Sequence, residues 1–386
     1  MSVYLDHNAS APLHPEVLEA MMPFLKGSYG NASSLHQSGR FLRSAIESAR
    51  QQVALLVNAR PQQVMFTSGG TEANNTVFKS LVMSGTCRGI LSSPMEHASI
   101  LEPLKQVQQQ GCRVGMLAVT ESGVVNTARS QEMMDEFKPQ LISLQMANNE
   151  TGVIQPLQQV MDQSKTVTDC LVHTDATQAI GKIAVDFEAL NTDFMSLSGH
   201  KFNGPQGCGA LLIKQETLPL SILAGGPQES GRRAGTENVA LLVGLGKAAE
   251  IARTKLLERQ TYLLELRRYF EQQLVSHIPA VQIFGVDAER LPNTSYFSIP
   301  YYHGETLLMQ LDKAGFALAS GSACHSEVTQ PSHVLSAMGI DPDLALNAVR
   351  VSFGMDNQKI HIDQLIGTMN DLINQLPAMI RQAAVS

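Results

Sequence analysis

The chain has 386 residues, 44% of them hydrophobic and 16% charged, and a formal net charge of −7 at pH 7. That balance excludes a disordered chain, gives length for two domains, and lacks the basic face that direct nucleic-acid binding requires. No apolar run nears the roughly 20 residues of a membrane span, no secretory signal opens the chain, and five scattered cysteines without a Cys-x-x-Cys pair fit reduced thiols, so a cytoplasmic protein is expected.

From about residue 60 to 215, short apolar strands alternate with amphipathic helices. Strands are expected at 64–67, 90–93, 114–119, 141–145, 171–174, 194–197 and 210–213, with helices such as 71–83 and 98–110 between them. Such alternation implies a parallel sheet with helices on both faces, whose ligands collect at the carboxyl ends of the strands. The chemically suggestive residues fall there: Gly69-Gly70-Thr71, Asn148-Asn149-Glu150, Asp175, and Ser198 to Lys201. A long helical pattern over 238–277 leads to strands at 281–284, 294–299 and 348–353 and a last helix at 362–380, which reads as a second, α+β domain. The N-terminal dozen residues suit either domain.

Leu197-Ser198-Gly199-His200-Lys201-Phe202-Asn203 sets one lysine directly after a strand. A buried lysine amine loses its proton readily and condenses with carbonyls. Pyridoxal phosphate enzymes need such a lysine and an acid for the pyridinium nitrogen, and Asp175 ends the preceding strand. Ser68-Gly69-Gly70-Thr71 opens a helix, where free N–H groups and the helix dipole favour a phosphate, or where Thr71 simply caps a tight turn. His97, between strand and helix, suits a position over a flat cofactor or is an ordinary loop histidine. No cluster has metal-ligand spacing, so no metal is expected. The glycine-rich stretch from Gly225 to Thr236, with Arg232 and Arg233, reads as a surface loop or as one approaching an anion or a neighbouring subunit. Cys87, Cys112, Cys170 and Cys208 lie in or beside apolar segments and read as inert. Cys324 sits among small residues in Ser320-Gly321-Ser322-Ala323-Cys324-His325, a setting for a reactive thiol or for a half-buried turn residue. Arg350, inside an apolar strand, needs an anion, either a substrate carboxylate or a structural partner.

Together these motifs resemble the cysteine desulfurase family, pyridoxal phosphate-dependent enzymes of aminotransferase class V that mobilise sulfur from L-cysteine. The resemblance spans nearly the whole chain: Tyr4 to Pro12, Gly30 to His36, Ser68 to Asn74, Glu96-His97, Asn148 to Gly152, Asp175 to Gln178, Ser198 to Lys201, Arg233 to Asn238 and Ser320 to Cys324. The form around Cys324 is similar to the iron–sulfur assembly and nitrogen-fixation subgroup.

The resemblance implies an α/β fold of aminotransferase type. Residues 15–255 would form a large cofactor-binding domain on a mostly parallel seven-stranded sheet, and 1–14 with 256–386 a smaller α+β domain carrying the cysteine loop. It implies a homodimer that converts L-cysteine to L-alanine and leaves the sulfur on Cys324 as a persulfide for a protein acceptor. Lys201 condenses with the cofactor, Asp175 pairs with the ring nitrogen, and Asn149 and Gln178 bond the ring hydroxyl. Gly70, Thr71, Ser198 and His200 hold the phosphate, with Thr236 from the second subunit. His97 stacks on the ring as an acid and base, Arg350 and Asn149 bind substrate, and the segment 322–330 is expected to travel. A selenocysteine lyase or another class V aminotransferase is the alternative, and a non-catalytic sulfur-relay scaffold a more distant one. The chain departs from the family pattern at Ser10-Ala11, where threonines are common, at Ala32 for proline, at Ser230 for arginine, and at His325 beside the nucleophile.

Overall fold

The computed structural model of the chain describes residues 2–167, 170–214, 221–278, 281–300, 302–321 and 330–376. Its strands are β1 (Val3–Tyr4), β2 (Val64–Thr67), β3 (Gly89–Ser92), β4 (Arg113–Met116), β5 (Leu141–Ser143), β6 (Leu171–Asp175), β7 (Phe194–Ser198), β8 (Gly209–Ile213), β9 (Gln282–Ile283), β10 (Thr294–Ser298), β11 (Phe316–Ala317), β12 (Ala319–Ser320) and β13 (Ala348–Ser352).

Seven of them form the large sheet in the order β2-β8-β7-β6-β5-β3-β4. The sheet is mostly parallel, as expected. β8 is the exception, running antiparallel to both β7 and β2. The link from β7 to β8 holds only a single helical turn at Gly199–Lys201, too little chain for the crossover that parallel pairing needs. Side chains alternate across this sheet. Phe194, Leu211 and Ile213 join Val77, Phe78, Leu81 and Leu104 on one face. Met195, Leu197, Ala210 and Leu212 join Ile46, Val53, Leu245 and Ala249 on the other. Burial on both faces explains why these strands read as continuous apolar runs. β4 stops short of the expected 114–119 because the chain folds back on itself through a Val119–Val125 bridge.

The long helical pattern breaks at Lys255 into helices Val239–Thr254 and Leu256–His277. Gly246 lets the first lie against helix Gln37–Leu56, since a Cβ there would come 2.6 Å from the Ala49 Cα. The second packs Leu263, Leu266 and Phe270 against Phe297, Val349, Val351 and Phe353 of an antiparallel sheet ordered β12-β13-β10-β9. The last helix, Lys359–Asn374, adds Ile362, Leu365 and Ile366 to the same core, and the expected continuation over 377–380 lies outside the described residues.

The N-terminal segment takes neither side. β1 pairs with β11 at Val3–Phe316, while the Ala11 N–H donates to the His200 carbonyl beside the large sheet. Residues 6–11 therefore cross from one sheet to the other. Among the described residues no helix is long and apolar enough to cross a membrane.

Candidate active site

The carboxyl ends of the parallel strands open into a cavity of about 210 Å³. Gly70, Thr71, His97, Asn149, Asp175, Gln178, Ser198, His200 and Lys201 all line it, nine of the ten residues the resemblance marks for the cofactor. Thr236 does not. It lies with Ser68, Cys208 and Arg233 around a neighbouring cavity of about 180 Å³.

Local structure fixes each group. Asp175 is the last residue of β6, and its Oδ1 accepts from the Thr177 N–H at 2.9 Å and its Oδ2 from Asn74 Nδ2 at 2.8 Å. Each oxygen keeps a lone pair for a further donor. Lys201 ends the helical turn after β7, where its Nζ donates to the carbonyls of Asn8 at 2.6 Å and Ala9 at 2.8 Å. Burial, joined by the charge of Arg350, pushes the Lys201 ammonium down to about 8, with Asp175 and Asp6 pulling the other way. Burial and Lys201 push His200 down to about 4, and its Nδ1 meets Ser10 Oγ at 3.2 Å. His97 caps helix Ala98–Gln109, and burial lowers its pKa too.

A helix of 14 residues starts at Gly70, and the Gly69 φ of 154° is one that only glycine adopts freely. A Cβ on Gly70 would stand 2.9 Å from Thr177 Oγ1, a buried hydroxyl with no partner among the described residues. Glycine keeps that floor clear, and an unpaired hydroxyl above helix N–H groups suits an anion. A condensing amine, a carboxylate for a ring nitrogen and an anion cradle on one cavity fit pyridoxal phosphate.

Sequence reading missed Asn8 and Lys182. Asn8 uses every polar atom it has. Its N–H donates to Ser352 Oγ, its Nδ2 to Thr294 Oγ1 and the Asn149 carbonyl, while its carbonyl accepts from Lys201 and Gln178 and its Oδ1 from Lys182 and Asn293. Lys182 is buried, with its Nζ 2.7 Å from both Asn8 Oδ1 and Gln178 Oε1. A lysine only donates, so the Gln178 amide is oriented with its oxygen towards Lys182 and its nitrogen towards Asn8. The apolar spacing around Gly181-Lys182 gives no hint of this role. A buried lysine is recognisable only once its neighbours are known.

Arg350 is held by its own chain: NH2 pairs with Asp6 Oδ1 and NH1 donates to the Asn149 carbonyl. Its Nε is buried and has no partner among the described residues, and Arg350 lies outside the cavity lining. Both readings of this arginine thus keep support, an ion pair in place and N–H donors to spare. The glycine-rich loop is docked on its own chain as well. Glu229 takes a bidentate contact from Arg50 and the Phe66 N–H, and Arg233 pairs with Glu72. Ser230, at φ 58°, sits in the left-handed region.

Cys324 and His325, with the rest of 322–329, lie outside the described residues. The strand that leads to them is fixed: β12 pairs Ala319 with Arg350 and Ser320 with Val349. Gly321 follows, where any Cβ would collide with the Tyr296 hydroxyl and Glu150 Oε2. The other thiols are unreactive by position, since burial pushes Cys87, Cys170 and Cys208 up to about 12 and raises Cys112. Among the described residues no group of three or more His, Cys, Asp or Glu could hold a metal ion.

The family model described as aminotransferase class V matches residues 3–365. The chain is 40% identical over 376 residues to the cysteine desulfurase IscS of Dictyoglomus turgidum, covering 97% of this chain and 95% of that protein. It is 37% identical over 382 residues to the cysteine desulfurase IscS of Methanosarcina thermophila, covering 98% and 93%. A solved structure titled a NifS-like protein superposes with a TM-score of 0.91 at 34% identity, covering 97% of this chain and all of that one.

Proposed function

Because the chain belongs to the cysteine desulfurases of aminotransferase class V, we propose that Lys201, Asp175 and Cys324 carry the conversion of L-cysteine to L-alanine with transfer of its sulfur. The observation behind this assignment is Lys201 itself, a half-buried amine pushed down to about 8, on one cavity with Asp175 and His97.

Pyridoxal phosphate, when bound, supplies an aldehyde for amines and a ring that draws electrons from the substrate carbon. Lys201 is the residue to hold it by condensation, Asp175 to keep its ring nitrogen protonated, and Gly70, Thr71, Ser198 and His200 to hold its phosphate. Asn149 and Gln178 face its hydroxyl. Once substrate has displaced it, the Lys201 amine takes the substrate α-proton at Nζ. The Asn8 and Ala9 carbonyls, which accept from Nζ, stabilise the resulting ammonium until the proton is returned.

The Cys324 thiolate then attacks the substrate sulfur. An S–S bond forms as the C–S bond breaks, and the C–S electron pair stays on carbon, where protonation completes the methyl group of alanine. One cysteine and one thiol give one alanine and one persulfide, so no outside oxidant is needed. Cys324 is three residues beyond Gly321, a reach of at most about 10 Å. Arg350 is the partner of the substrate carboxylate, with Asn149 beside it, and a protein acceptor then removes the sulfur.

The active form is a homodimer. Thr236, which lies off the cavity of its own chain, completes the phosphate site from the second subunit. Leu13, Leu18, Leu25, Tyr29, Leu35 and Phe41 are large apolar residues exposed in one stretch, as a subunit interface requires. Cytoplasmic placement is part of the same reading, supported by five scattered cysteines without a Cys-x-x-Cys pair.

Borohydride reduction of the cofactor-loaded protein, followed by peptide mapping, tests the assignment. The reduced cofactor is expected on Lys201, and its recovery on Lys182 or any other lysine overturns it.

A further inference from the structure

We propose that Ser99 and Asn74 hold His97 as a neutral imidazole carrying its proton on Nε2, so that the ring offers a fixed hydrogen-bond donor to the cavity. The inference rests on reading the cavity as the pyridoxal phosphate site of a desulfurase, and it narrows the acid–base role that the family resemblance gives to His97.

The hydrogen bonds leave one assignment. Asn74 is fully buried, and its Nδ2 donates one hydrogen to Asp175 Oδ2 at 2.8 Å and the other to Ser99 Oγ at 2.9 Å. Ser99 Oγ, which accepts from Asn74, lies 2.8 Å from His97 Nδ1, and the backbone sets the direction of that bond. The Ser99 backbone N–H donates to the same Nδ1 at 3.0 Å. A nitrogen that accepts from two donors cannot carry a proton, and the neutral ring must therefore hold it on Nε2. Protonating Nδ1 would break both contacts, uncap helix Ala98–Gln109 and set a cation at its positive end.

The groups around His97 mostly support this state. Desolvation opposes a positive charge on the ring most, Asp175 favours one, and Lys201 and His333 oppose it. Glu96, the preceding residue, is itself buried and held towards its neutral form by that burial. The same two side chains join the partner of the cofactor nitrogen to the ring above the cofactor, so Asp175 and His97 are positioned by one network.

The test is nitrogen NMR on holoenzyme carrying ¹⁵N-histidine, with His97 identified by its loss in His97→Gln. From about pH 5 to about pH 9 the wild-type ring is expected to keep one protonated nitrogen, Nε2. A ring that becomes imidazolium near its ordinary pKa of about 6.5, or that carries its proton on Nδ1, overturns the proposal. Ser99→Ala removes one donor to Nδ1, so protonation should become about one pH unit easier. Ser99→Thr, which keeps the hydroxyl, should restore wild-type behaviour. A Ser99→Ala ring that titrates like wild type ends the role of Ser99, and should that variant not fold, the wild-type tautomer still decides. Failure of the underlying reading is distinct: that protein would show no cofactor band and form no alanine, whatever its tautomer.

Discussion

Lys201 is useful because its charge is expensive to bury. With its ammonium pushed down to about 8 by burial and by Arg350, the neutral amine that condenses with an aldehyde becomes abundant as pH rises through that value. The rate at which cofactor-free protein regains its visible absorption should therefore climb with a midpoint near pH 8. Arg350→Met removes a positive neighbour, eases protonation of Lys201, and should move that midpoint to higher pH. The same variant should need more cysteine for half-maximal rate, by at least about tenfold, since a charge-assisted contact is lost. An unshifted midpoint with unchanged demand for cysteine would make Arg350 a purely structural partner of Asp6. Residues of this kind were legible in the sequence because short motifs carry them. Asn8, Asn74, Ser99 and Lys182 were not, because their meaning lies in contacts between distant positions, such as Asn8 with Lys182 and Asn74 with Asp175.

Among the elements, the alternation of apolar strands and amphipathic helices made the large sheet readable before any coordinates. The antiparallel β8 was hidden because a strand buried on both faces carries no mark of its direction. The two-residue strands β1, β11 and β12 carry too short a pattern to register. The segment from Asp6 to Ala11 was visible as a motif but not as the joint between the sheets that Asn8 makes of it. Asn8→Ala should lower unfolding stability by about 2–4 kcal/mol, because Lys182, Asn293 and Thr294 keep buried polar groups that lose their side-chain partner. Urea denaturation measures this, and a loss within the error of the method would deny Asn8 its central place. At the end of β12, Gly321 has no room for a methyl group beside Tyr296 and Glu150. Gly321→Ala should reduce desulfuration by at least about tenfold and leave cofactor absorption intact. Equal turnover would mean that the approach to Cys324 is not set there.

In the whole molecule the large sheet supplies the lysine, the aspartate and the anion cradle of the cavity, while β12 and β13 carry the strand leading to the thiol and Arg350, which lies outside the lining but bonds the Asn149 carbonyl. In the proposed homodimer the second subunit brings Thr236 to the phosphate, so replacing exposed Tyr29 and Leu35 with Glu should yield monomers that hold pyridoxal phosphate more weakly. Sedimentation with cofactor titration reads both effects, and a monomer with unchanged affinity would remove Thr236 from the site. The division of labour between Lys201 and Cys324 is tested most directly by mass spectrometry of protein mixed with limiting L-cysteine. The expected result is alanine formed in step with one added sulfur on Cys324, and neither product with Cys324→Ala. Alanine formed at the wild-type rate by Cys324→Ala, or the added sulfur found on Cys87, Cys112, Cys170 or Cys208, would contradict it.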